Sequence, residues 1–188
     1  MFSFVFTEIL VLLIIIGLLF ILSWVWPPDS PWAPWWQMPD EVVKKMGQIA
    51  KIDSKDVIYD LGCGTGKALI YSSKTHKARG VGIEIDPIRF LLAKWNVYKF
   101  HQEKNVTLLK KNFFHVSFAP ATIIFVYLVP AALKRLTPKF LRELKTGTKF
   151  LSYIYPMPQE LFKGKLELIL YDKKNKIYYY RLLAKAKK

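Results

Sequence analysis

VIYDLGCGTGKALI, residues 57–70, packs a strand, a glycine turn and the start of a helix into one short run. Val57 to Tyr59 are β-prone and lead into Asp60, and a helix-compatible segment follows Lys67. Gly62, Gly64 and Gly66 let the chain turn tightly and bring its backbone against a ligand where any Cβ would intrude. This order opens a doubly wound α/β sheet. A dinucleotide fingerprint needs glycine three places after the second one, and Lys67 stands there instead. The glycine and Lys-Ser/Thr spacing of a P-loop is also absent.

What remains is Asp-x-Gly-x-Gly-x-Gly, with a carboxylate at the end of the strand. An acid there repels a pyrophosphate but suits a ligand that carries an amino group, such as the methionine part of S-adenosylmethionine. The next strand, RGVGIEIDP at 79–87, ends in Glu84, twenty-four positions after Asp60. A carboxylate in that place accepts both ribose hydroxyls in open α/β nucleotide sites, with Ile85 beside it. Asp86 and Pro87 then start a helix of period 3.6 that carries Ile88, Leu91, Leu92 and Trp95 on one face. A third strand, NVTLLKKN, reaches Asn112 and Phe113. These are expected at the adenine amino group and the adenine ring, since an Asn side chain can both accept and donate.

The fourth strand lies within ATIIFVYLVP, residues 121–130, and its end, Tyr127 to Pro130, is expected to line the reaction site. No Asp/Asn-Pro-Pro-Tyr element occurs, which counts against nucleobase or amide nitrogens as acceptors. A helix through Leu133, Leu136, Phe140, Leu141 and Leu144 follows, then a strand near 149–155. A hairpin turning at Asp172 to Lys176 completes a seven-stranded, Rossmann-like sheet.

The N-terminus is of a different kind. Residues 1–26 hold one ionisable side chain, Glu8, and an unbroken apolar run from Ile9 to Leu22. A helix from Phe4 to Trp26 would be roughly 35 Å long, enough to cross a bilayer. A cleaved signal fits poorly, because there is no basic region before the run and no small-residue cleavage site after it. All 29 basic residues follow this segment, so the positive-inside tendency places the N-terminus outside and the body in the cytoplasm, or facing the matrix in a mitochondrion. The expected organisation is an anchor at 1–26, a Pro/Trp-rich linker at 27–39 and a catalytic domain at 40–188.

Trp24 and Trp26 read as an interfacial belt, and Pro27, Pro28, Pro31 and Pro34 as a stiff tether. Trp32, Trp35 and Trp36 come next, and at least one is expected near the active-site mouth. A net charge of +15 beside a span suggests attraction to anionic lipid, with nucleic acid as the weaker reading. The single cysteine, Cys63, and the scattered His76, His101 and His115 offer no metal site.

From about Pro34 to Arg181 the chain resembles class I S-adenosylmethionine-dependent methyltransferases. More narrowly it is similar to the membrane-anchored lysine methyltransferases that modify the adenine nucleotide translocase and the ATP synthase c subunit, with their prokaryotic relatives. The resemblance is carried by WQMPDEVVKKMGQIAKI, YDLGCGTGK, GVGIEIDP, NFFHVSF, IIFVYLVP and KFLRELKTGTKFLSY, in that order. It departs at Thr65 and Asn112, where that family commonly has Asp, and at Met38-Pro39, where it commonly has Thr-Pro. The resemblance implies S-adenosylmethionine held by Asp60, Gly62, Cys63, Gly64, Gly66, Glu84, Ile85, Asn112 and Phe113. It also implies Tyr127 at the reacting centre and Trp35, Trp36 and Pro39 lining the substrate approach. The implied reaction is in-line attack of a neutral lysine amine of a protein, at or beside a membrane, on the sulfonium methyl. A small-molecule or lipid acceptor and an RNA acceptor stay open as alternatives.

Overall fold

The computed structural model describes residues 2–25 and 36–184. Pro27, Pro28, Pro31 and Pro34, together with Trp26, Trp32 and Trp35, lie outside the described residues. Helix α1 covers Phe2–Val25 and includes Trp24. Its 24 residues make a rod of about 36 Å. The side chains of residues 5–22 are exposed all round, and the stretch Val5–Leu22 is long and apolar enough to cross a membrane.

The domain that follows runs α2 (Asp40–Ala50), β1 (Val57–Leu61), α3 (Lys67–His76), β2 (Arg79–Glu84), α4 (Pro87–Lys99), β3 (Val106–Lys110), β4 (Ile123–Val126), α5 (Pro130–Glu143), β5 (Lys149–Tyr153), β6 (Leu166–Asp172) and β7 (Ile177–Leu182). The sheet order is β3-β2-β1-β4-β5-β7-β6. The first five strands are parallel, and β7 enters antiparallel between β5 and β6. Expectation and structure agree on seven strands and on the hairpin.

The sheet is covered on both faces, so its central strands are apolar without alternation. All four residues of β4 are buried, with Ile123 and Phe125 facing one core and Ile124 and Val126 the other. The first core gathers Val43, Met46, Leu69 and Val97 from α2, α3 and α4. The second is dominated by α5, whose Leu133, Leu136 and Phe140 are fully buried. Tight contact between α3 and the sheet depends on a missing side chain at Gly82. A Cβ there would stand 2.8 Å from Cys63 Sγ and from Leu108 Cδ2, and 2.9 Å from Leu69 Cδ1.

Strand order reverses between β1 and β4, since β2 and β3 lie on one side of β1 and β4 on the other. In open α/β sheets this switch point leaves a crevice at the carboxyl ends of the strands. The residues leaving β1 and β4 are therefore the ones that meet there.

Helix α4 departs from what its apolar period suggests. Arg89, Ala93 and Val97 are its buried residues, whereas Ile88, Leu91 and Trp95 are exposed and Leu92 is half-buried. The small Ala93 lets the helix sit close to the glycine turn, with its Cβ 3.6 Å from where a Cβ on Gly66 would fall. The larger side chains are thereby turned outward.

Candidate active site

At the end of β1 the chain reverses through Gly62, Gly64 and Gly66, all with positive φ (80°, 54° and 75°). Such angles are strained for any residue with a Cβ. The amides of Gly62 and Cys63 both donate to the carbonyl of Ile83, which pins the turn to the end of β2. Glu84 completes the clamp, as its Oε2 accepts from the Gly64 amide at 2.9 Å and its Oε1 from the Asp86 amide at 2.9 Å. Asp86 in turn caps α4 by accepting from the Arg89 amide at 2.8 Å.

The crevice is lined by Asp60, Glu84 and the turn at its base, by Ile85 and Phe113 at one side, and by Tyr127 and Trp36 toward its mouth. Its electrostatics are unusual. Asp60 and Glu84 are both buried, and the Arg89 guanidinium, which lines the same crevice, partly offsets the charge of Glu84. Burial, reinforced by the charge of Glu84, raises Asp60 to about 7. Burial also raises Glu84, against the lowering effect of its two backbone donors. Two desolvated acids with Arg89 beside only one of them remain costly in themselves. They fit a ligand that brings a positive group and hydroxyl donors to the same place. The Cys63 thiol, pushed well above its ordinary value by burial and then by Asp60 and Glu84, stays protonated and is a packing group rather than a nucleophile.

At the end of β4, Tyr127 packs edge-on against Tyr153 with ring centroids 4.7 Å apart. Burial, and after it the proximity of Tyr153 and Tyr155, raises the Tyr127 phenol above its usual value. It therefore remains neutral and does not act as a base. Tyr153 and Tyr155 flank Ile154, a β-branched residue held at φ 65°. Backbone of this kind is uncommon and collects near functional sites.

The segment before α2 lies across the mouth. Gln37 Nε2 donates to Thr65 Oγ1 at 2.9 Å, and Lys67 pairs with Asp40 at 2.6 Å. Asn96 of α4 donates to the carbonyl of Thr65 at 3.1 Å from the other side. Where the resembled family has an acid, this chain uses the Thr65 hydroxyl as the acceptor for the strap.

Of the expected residues, Asp60, Gly62, Cys63, Gly64, Glu84, Ile85, Phe113, Tyr127 and Trp36 all line this one pocket. Gly66 shapes the turn but is not among the lining residues, and Pro39 sits at the N-cap of α2. Asn112 is also outside the lining, because its Oδ1 accepts from the Phe114 amide at 3.0 Å and caps the short turn that presents Phe113. Trp35 lies outside the described residues. Sequence reasoning missed Gln37, Lys67 and Arg89, which line the pocket. Arg89 was readable in part, as the third residue after a capping Asp at the end of the glutamate strand.

A seven-stranded sheet with its last strand pair reversed, and an acid-based glycine turn at its switch point, define a class I S-adenosylmethionine-dependent methyltransferase. Comparison with known proteins gives the narrower grouping. The ANTKMT methyltransferase domain family matches residues 60–161, and the chain belongs to that family. A protein-lysine N-methyltransferase of Saccharolobus islandicus is 34% identical over 141 residues, covering 72% of this chain and 86% of that protein. The adenine nucleotide translocase lysine N-methyltransferase of Mus musculus is 26% identical over 99 residues, which is 53% of this chain and 43% of the mouse protein. Among solved structures, an RNA methyltransferase from Salinibacter ruber in complex with S-adenosyl-L-homocysteine superposes with a TM-score of 0.73 at 30% identity, covering 81% of this chain and 97% of that chain.

Proposed function

We propose that the chain is a protein-lysine methyltransferase held at a membrane by α1, with its catalytic domain at 40–188 and residues 27–39 as the link. The acceptor is a lysine of a membrane or membrane-adjacent protein. The observation that carries the lysine reading is that Tyr127 and Trp36 bring aromatic rings to the same pocket that Asp60 and Glu84 line, with Tyr153 packed on Tyr127. The two lysine methyltransferases among its relatives support it. The membrane part rests on the length and exposure of α1 and on the placement of all basic residues after it.

S-adenosylmethionine, when bound, supplies a methyl group already activated on a sulfonium. Asp60 would hold its amino group, Glu84 would accept from its ribose, and Ile85 and Phe113 would flank its adenine, with Asn112 fixing Phe113 in place. The turn at Gly62 and Gly64 allows backbone approach. The remaining task is to present a neutral amine in line, and orientation supplies most of the acceleration. Free lysine has a pKa near ~10.4, and a desolvated aromatic slot favours its uncharged form. Tyr127, being neutral, contributes its ring face and oxygen lone pairs rather than proton removal. Cation–π attraction to the methylated product is worth roughly 0.5–2 kcal/mol.

An RNA acceptor is the competing reading, favoured by the Salinibacter ruber protein and by the net charge of +15. A lipid or small-molecule acceptor is the third. All are separated by incubating the full chain with methyl-labelled S-adenosylmethionine and membranes plus total RNA from a strain lacking the protein. Label on lysine is expected, and label in RNA or lipid with none in protein overturns the reading.

A further inference from the structure

Helix α4 presents a large apolar stripe to the outside. Leu91, Trp95 and Tyr98 are 63%, 61% and 62% exposed, and Ile88 extends the stripe by one turn. Three places of one helix face thus carry big apolar side chains with nothing of this domain against them. The Trp95 and Tyr98 rings lie side by side at 6.3 Å. Phe100 follows just beyond the helix on the side of α3, with Lys74 Nζ 4.8 Å and Lys99 Nζ 5.9 Å from its ring centre. Lys94 is exposed on the same helix, and no acid occurs from residue 87 to residue 102.

Helix α4 adjoins the segment that comes in from α1. Thr65 takes a hydrogen bond from Gln37 on one side and from Asn96 on the other, so the entering strand and the C-terminal half of α4 are neighbours. Gln37, Asn96 and Phe100 line one groove with Lys44 and Lys74. Trp36, 68% exposed, stands at the start of that strand. Ten residues, 26–35, join the end of α1 to Trp36. At no more than ~3.6 Å per residue they cannot carry Trp36 beyond about 40 Å from the end of the helix, so the domain stays close to the bilayer that α1 spans.

We propose that the outward face of α4, made by Ile88, Leu91, Trp95 and Tyr98, seats in the headgroup layer of an anionic bilayer and holds the catalytic domain against the membrane. The inference rests on the reading of α1 as a span. Trp and Tyr are the side chains that favour this layer, and lysines close to aromatic rings add attraction to acidic lipid headgroups. A second copy of the chain is a poorer occupant, because two-fold pairing of this face would bring Lys94 and Lys99 against their own equivalents without an acid between 87 and 102 to offset them.

The test uses the full chain in vesicles of phosphatidylcholine and phosphatidylglycerol. A nitroxide is attached at Trp95→Cys, at Ile14→Cys in α1, or at Lys145→Cys on the exposed loop before β5. Cys63, buried and protonated, does not compete for the label. Collision with oxygen and with a water-soluble nickel chelate then reports depth. The expected result is lipid-like accessibility at 14 and at 95, and aqueous accessibility at 145. Lipid-like behaviour at 14 with aqueous behaviour at 95 overturns the docking face and leaves the span intact, whereas aqueous behaviour at both overturns the two together. Dipolar broadening between labels at 95 on different copies overturns the lipid assignment in favour of self-association.

Discussion

Glu84 holds Gly64 through a 2.9 Å hydrogen bond from the glycine amide, while its other oxygen takes the Asp86 amide at the same distance. One buried side chain thus ties the glycine turn to the cap of α4. Removing it does two kinds of harm. Glu84→Ala leaves two buried amides without an acceptor, at about 1–3 kcal/mol each, and deletes the group assigned to the ribose. We expect a clearly lowered melting temperature and no measurable binding of S-adenosylhomocysteine by calorimetry. Glu84→Gln retains one acceptor oxygen and should fold better while binding at least ~10-fold more weakly. Unchanged binding in the alanine variant would refute the site map.

Asp60 gives the pocket a pH dependence. Its carboxyl is raised to about 7 in the empty protein, and the ionised form is the one that suits an ammonium. Below pH 7 the site must lose a proton to bind, so Kd should rise by up to ~10-fold for each pH unit of descent and flatten above 7. Titration in two buffers of different ionisation enthalpy should detect the released proton, and Asp60→Asn should abolish that release.

The same group affects unliganded stability, with a definite sign. Its folded pKa, about 7, lies above the ordinary value of 3.8, so between those limits the unfolded chain is ionised where the folded one is protonated. Its contribution to stability therefore falls as pH rises from about 4 to about 7, and is constant beyond. Thermal unfolding of empty protein and of Asp60→Asn across that window should differ in slope; equal slopes would remove Asp60 as the cause.

Tyr127 separates ring from hydroxyl. With the phenol neutral through the working range, Tyr127→Phe should keep kcat within roughly threefold and leave the pH–rate profile unaltered. Tyr127→Ala removes the aromatic face, and a cation–π loss of roughly 0.5–2 kcal/mol corresponds to a fall in kcat of about 2–30-fold. Cofactor affinity should change little. A large loss in the phenylalanine variant would assign the hydroxyl a direct part in catalysis.

Gly82→Ala tests the packing of α3 on the sheet. Its new methyl would meet Cys63 Sγ, Leu108 and Leu69 at under 3 Å. Overpacking of that kind costs typically about 1–3 kcal/mol, read as a lower denaturation midpoint.

The residues of the cofactor turn were legible because their chemistry is local. Three glycines, an acid at one strand end and a second acid at the next are all specified within residues 57–87. Asn112 carries more than its position announced, since its Oδ1 also caps the turn that presents Phe113. Tyr153 and Tyr155 come beside Tyr127 only because β5 lies beside β4, a juxtaposition that no spacing within either strand encodes. In α4, periodicity identified an apolar face but carried no sign of direction. The buried face is the one containing Arg89, and the choice was made by the small Ala93 fitting against the glycine turn.

The strap made by Gln37, Thr65, Lys67 and Asp40 belongs to two things at once, the rim of the pocket and the last stretch of chain arriving from α1. Insertions into the two sides of Trp36 should therefore behave as different experiments. Extra residues within 26–35 lengthen the connection to α1 and leave the hydrogen bonds of the rim untouched, while a single extra residue between Trp36 and Asp40 throws Gln37 out of step with Thr65. The rim of the pocket thus begins at Gln37, and its register is counted from the first turn of α2.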